Sequence, residues 1–84
     1  MKHAGEAALD TLEAVLSELR KCEGIRERKR GVFYRAASAF MHFHEDPAGI
    51  FADVRTGSEW ERLPVNTRSE RGELLRRVRR ALKE

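Results

Sequence analysis

The chain has one cysteine, Cys22, in 84 residues. A lone thiol cannot build an internal disulfide framework, so a reducing, cytoplasmic setting is expected. No apolar run approaches the ~20 residues that a bilayer-spanning helix needs, which excludes a membrane protein built on such helices. A secretory leader is not expected either, because Met1-Lys2-His3 runs into the acidic Glu6 and Asp10 and not into an apolar core. The six glycines are dispersed at turns and ends, so no phosphate-cradling glycine loop forms. There is no nucleophile elbow and no Cys–His arrangement, and no complete catalytic site can be assembled. A non-enzymatic protein with no catalytic residue and no obligatory cofactor is therefore expected.

What is present suits one small folded domain spanning residues 1–84. Hydrophobic residues make up 40% and charged residues 37%, against a usual charged share of about 25%. A chain this short buries only about 60–65% of the surface its unfolded form exposes, so its margin of stability is small. The net charge of +3 is a small difference between 17 basic and 14 acidic residues. Arg26, Arg28, Lys29 and Arg30 crowd one stretch, and Arg76, Arg77, Arg79, Arg80 and Lys83 another. Acids dominate between them, giving a basic–acidic–basic order that could steer an anionic partner or pair with itself.

Residues 5–22 read as an amphipathic helix, with Leu9, Leu12, Val15, Leu16 and Leu19 on one stripe. Gly24 suits a left-handed C-terminal cap, with Ile25 as its apolar partner. Residues 26–30 read as a charged connector. Val32-Phe33-Tyr34-Arg35 has strand propensity. The stretch 36–46 reads either as a helix presenting Phe40, Met41 and His44, or as a strand ending at the turn Asp46-Pro47-Ala48-Gly49. Because Ile50 to Arg55 alternates cleanly after that turn, a strand is favoured on both sides of it. Trp60 to Leu63 reads as a further strand with Pro64 at its end or at a sheet edge. Thr67-Arg68-Ser69-Glu70 is a capping box opening a second helix over about 68–83. The expected fold is α+β: a two-layer sandwich of N-terminal helix, antiparallel meander of three to four strands, and C-terminal helix.

The register of the hairpin decides which residues meet water. With Asp46 to Gly49 as its loop, Met41, Phe43, Ile50, Ala52 and Val54 share the core face. The outer face then collects Phe40, His42, His44, Phe51, Asp53 and Arg55, with His42 opposite Asp53. A loop one residue shorter would carry both histidines into the core, which the hydrophobic pattern opposes. Three functional expectations follow. Phe40, Phe51 and Arg55 offer a partner-binding patch, and a non-catalytic interaction domain acting as a homodimer is the leading one. His42 and His44, two residues apart on a strand, point the same way and with Asp53 would suit a transition metal such as zinc or iron. Arg76, Arg80 and Lys83 on the C-terminal helix could contact nucleic-acid phosphates. The order helix–three strands–helix is that of double-stranded-RNA-binding domains, but Arg71-Gly72-Glu73 stands where their basic helix start would be.

Gly31-Val32-Phe33-Tyr34-Arg35, Phe40-Met41-His42-Phe43-His44-Glu45-Asp46, Gly49-Ile50-Phe51-Ala52-Asp53-Val54 and Glu61-Arg62-Leu63-Pro64-Val65 together resemble the core of a group of short uncharacterised bacterial proteins. The resemblance covers about residues 31–65 and brings no activity, ligand or catalytic residue with it. It implies a small polar turn where this chain has Ala36-Ala37-Ser38, and hence a four-stranded meander.

Overall fold

A computed structural model describes residues 2–83. In chain order it contains β1 (Lys2–His3), α1 (Glu6–Thr11), α2 (Glu13–Arg20), β2 (Arg26–Lys29), β3 (Val32–Arg35), β4 (Ser38–Asp46), β5 (Gly49–Thr56), β6 (Glu59–Pro64) and α3 (Arg68–Leu82). Strands β2 to β6 form an antiparallel meander in sequence order, and β1 joins the sheet by pairing with β4. The α+β sandwich read from the sequence is therefore the architecture, with a wider sheet than three to four strands.

The helices cover one face of the sheet. Leu9, Leu12, Val15, Leu16 and Leu19 from the N-terminal helices and Leu74, Val78 and Ala81 from α3 are buried. They share one core cluster with Phe33, Met41, Phe43, Ala52 and Val54 of the sheet. Each large side chain so buried contributes about 1.5–3 kcal/mol, and this apolar layer is the main source of stability. The long N-terminal helix expected over 5–22 is two segments meeting at Leu12, whose backbone (φ −94°, ψ 6°) leaves the α region. Leu12 is fully buried there, so the break keeps the apolar stripe on the sheet. At the other end the capping box is realised: Thr67 Oγ1 accepts from the Glu70 N–H and the Glu70 carboxylate accepts from the Thr67 N–H.

Hairpin β4–β5 pairs Met41 with Val54, His42 with Asp53, Phe43 with Ala52 and Glu45 with Ile50. This is the register that the hydrophobic pattern favours, and segment 38–46 is extended rather than helical, with Ala36 and Ala37 in the turn before it. One expectation fails at Phe40. Strand β3 pairs Phe33 with Met41 but Tyr34 with Ala39, so Phe40 is an extra residue in a β-bulge. The bulge breaks the alternation and turns Phe40 into the core beside Met41, where it is 2% exposed. Phe40 therefore does not belong to the outer face.

Residues 26–30, read as a connector, also depart from expectation. Arg26 to Lys29 form an edge strand, with Arg26 opposite Tyr34 and Glu27 opposite Phe33. The charge of β2 hides it from a hydrophobicity argument and blunts a sheet edge against further pairing. Glu27 turns toward the helices, where it accepts from Arg20 Nε and from the Gly31 N–H.

Two consequences are measurable. Burial opposes ionisation of Glu27, but the hydrogen bonds from Arg20 and the Gly31 N–H outweigh it and hold the carboxyl below its ordinary 4.5. A lowered carboxyl stabilises the fold above that ordinary value and loses the contribution as pH falls through the folded one. Glu27→Gln should thus be less stable than the parent at neutral pH, with the gap closing below about pH 4.5 in urea titrations. The β3–β4 turn places Ala36 at φ 55°, a region that costs a side-chain-bearing residue roughly 1–2 kcal/mol. Ala36→Gly should raise the stability by about 0.5–1 kcal/mol after the added chain entropy is subtracted, read as a higher thermal midpoint.

Candidate functional site: three histidines on the open sheet face

The face of the sheet away from the helices carries three rows of side chains. The first row runs Arg26, Tyr34, Ala39 across β2 to β4 and continues with Arg55 opposite Trp60. The second runs Lys29, Val32, His42, Asp53, Arg62. The third runs His3, His44, Phe51, Pro64. Antiparallel partners share a face, and successive residues alternate, so these rows follow from the register.

His42 and His44 lie two apart on β4, as the sequence indicates, with ring centroids 4.6 Å apart. The third imidazole comes from His3. Strands β1 and β3 lie end to end along the same edge of β4: β3 takes up Ser38 to His42, and β1 takes up His44 and Glu45. The Ala4 N–H donates to the Phe43 carbonyl at the junction. This seats His3 directly opposite His44, with ring centroids 5.0 Å from His44 and 5.7 Å from His42. All three histidines of the chain thus meet at one point. One ring nitrogen from each lies within 4.8 Å of the others.

The surroundings leave nitrogen lone pairs or N–H groups without partners. Among the described residues, His42 Nδ1 and both ring nitrogens of His44 are buried and make no hydrogen bond. A buried polar atom without a partner costs about 1–3 kcal/mol, so three in one cluster call for a cause. His44 Nε2 is 3.2 Å from Asp53 Oδ2, close enough for attraction but not aligned as a hydrogen bond. Burial, and then repulsion from His44, lower the pKa of His42 and keep its ring neutral.

Asp53, expected as the third metal ligand, has both carboxylate oxygens engaged by a neighbour. Arg62 donates to both its oxygens, Nε to Oδ1 at 2.8 Å and Nη2 to Oδ2 at 3.0 Å. That fork holds the Asp53 carboxyl below its usual range against the opposing effect of burial. Asp53 sits behind His44 as a charged support, and His3 stands where the acid was expected. Sequence reasoning missed His3 because a two-residue strand has no periodicity to read. Its one signal is that it is the remaining histidine of the chain. A cleft of about 440 Å³ opens beside His3, lined also by Gly5, Leu9, Lys29, Val32 and Phe43; His42 and His44 do not line it.

The other expected site residues are scattered. Phe51 is half-buried beside the histidines, and Arg55 is exposed with its guanidinium 5.9 Å over the Trp60 ring. On α3, Arg76 is tied to Glu73, Arg77 to Glu61 and Arg79 to Glu18, while Arg80 and Lys83 carry no ion pair among the described residues. Much of the positive charge that made this helix a nucleic-acid lead is therefore neutralised within the chain. Among the described residues no helix is long and apolar enough to cross a membrane. The chain finds no match among protein-family models, curated proteins or solved structures.

The Asp53–Arg62 fork can be isolated by a double-mutant cycle. Arg62→Gln should destabilise the fold by stranding a buried carboxylate, and Asp53→Asn should relieve most of that loss. Denaturation midpoints of the parent, both single variants and the double variant check this: the double variant should lose less than the sum of the singles.

Proposed function

We propose that this protein binds a divalent transition-metal ion of the zinc type through His3, His42 and His44. The observation that carries the reading is the convergence of every histidine in the chain on one point, with buried ring nitrogens left unpartnered. An all-imidazole set suits zinc, copper, nickel or iron, and not the hard calcium or magnesium ions. Zinc–nitrogen distances of about 2.0–2.1 Å require ligand atoms roughly 3.4 Å apart, so the rings swing together on loading. Rotation of His3 can supply that movement, since it is the last residue of its strand and its side chain is exposed. Three protein ligands leave a coordination position for water or a small ligand. Asp53, held by Arg62, would orient His44 from behind, as acids behind metal-bound imidazoles do.

Self-association through the same face has weaker support. Phe40 is in the core, and among the described residues the single large hydrophobic side chain exposed is Trp60. The rest of the patch is histidine, arginine and a half-buried phenylalanine.

Isothermal titration with zinc and visible spectroscopy with cobalt test the metal reading. One ion per chain should bind, with a tetrahedral cobalt spectrum. His42→Ala and His44→Ala should each weaken binding by more than about 100-fold, and Asp53→Asn by about 10- to 100-fold, the range found for outer-shell partners. A chain that binds no zinc at micromolar concentration, or binds it equally well without His42, overturns the reading.

A further inference from the structure

The open sheet face also concentrates charge. Arg26, Arg28, Lys29, Arg55 and Arg62 stand on it, against two acids, Asp53 and, at the hairpin end, Asp46. Five of the chain's 17 basic residues and two of its 14 acidic residues lie here, which leaves twelve basic against twelve acidic elsewhere. The whole positive excess of the molecule therefore sits on one surface. The helix layer has the opposite organisation: Arg20 and Arg30 are bound to Glu6, Asp10, Glu13 and Glu27.

Aromatic rings interleave with that charge. The Arg28 guanidinium lies 4.7 Å over the Tyr34 ring, and that of Arg55 5.9 Å over Trp60. The two capped rings stand in the same row on β3 and β6, three strand spacings or about 14 Å apart, next to the row that holds His42. Trp60 is 44% exposed. Planar guanidinium groups and aromatic rings both stack on nucleobases, and free cations beside them take phosphates. A duplex has its bases already stacked and offers this face only its backbone.

We infer that the open face of the sheet is a docking surface for single-stranded nucleic acid, with Tyr34, Trp60 and their capping arginines as base platforms. Charge complementarity selects this occupant over a second copy of the chain. An isologous pairing through the face would set five cations against five. The surface adjoins the histidine cluster, since the Trp60 ring lies 5.2 Å from that of His42, so the test is run without metal.

The test is fluorescence anisotropy with labelled oligo(dT) and oligo(rU) of about ten nucleotides, within the roughly 4–16 that small single-strand binders cover. Measuring in EDTA separates it from metal binding. Binding at low salt is expected, with a log–log salt slope no steeper than about −3.5 for five phosphate contacts. The tighter of the two probes names the sugar. Arg28→Glu with Arg55→Glu should weaken binding about tenfold or more, and Trp60→Ala about fivefold or more. Arg76→Glu with Arg80→Glu on α3 should leave it unchanged. All these side chains are exposed, and circular dichroism confirms that each variant is folded. The inference fails if neither probe binds at low salt, or if the α3 pair abolishes binding while the face pair does not. It also fails if duplex binds as tightly as single strand, or if the face variants instead disrupt a dimer or adhesion to anionic lipid vesicles.

Discussion

Strand β4 is paired on both sides along most of its length, and the rest of the molecule depends on that double pairing. One edge carries β5 without interruption from Met41 to Asp46. The other carries β3 and then β1. A strand held from both sides cannot slip, so its two-residue alternation becomes a fixed partition. Met41 and Phe43 are committed to the helices, and His42 and His44 to the opposite surface. The same pairing recruits the chain's N-terminal residues, because the edge of β4 left free beyond β3 is the only place where β1 joins the sheet. The histidine cluster is thus a by-product of completing a hydrogen-bond ladder. Pairing with β1 satisfies backbone groups on β4 that β3 leaves free.

The two faces of the sheet solve different electrostatic problems. On the helix side, cations and acids interlock: Arg20 bridges Glu13 and Glu27, and Arg77 reaches Glu61 across from α3. These pairs are partly exposed and individually modest. Their chief effect is to cancel charge over the apolar layer. On the open side, one acid is held by one arginine and the remaining cations point to solvent or lie over rings. A metal ion held by the three histidines, as proposed, would add to that positive field and favour the same kind of ligand as the basic face, one with an anionic or lone-pair donor.

Much of the architecture is legible in short patterns. The apolar stripe of residues 5–22, the capping box at Thr67 and Glu70, and the alternation after Gly49 each encode an element through contacts within a few residues. What escaped has specific causes. Arg26 to Lys29 form a strand in which no side chain is apolar, so propensity and periodicity were both silent. Phe40 was assigned by counting twos along a strand, and a single bulged residue reverses such a count. Asp53 was paired correctly with His42, but its carboxylate is claimed by Arg62, a neighbour on the next strand.

The sequence alone determined the two-layer α+β class, the hairpin register and the outward direction of His42 and His44. Those features rest on local periodicity and on the cost of burying imidazole. Only the tertiary structure decided that His3 completes the cluster, that Phe40 joins the core, and that the net positive charge gathers on one face. Each of these depends on which residues far apart in the chain become neighbours across a strand. Hydrogen-bond ladders and a bulge set those neighbours, and neither leaves a pattern in the residues themselves.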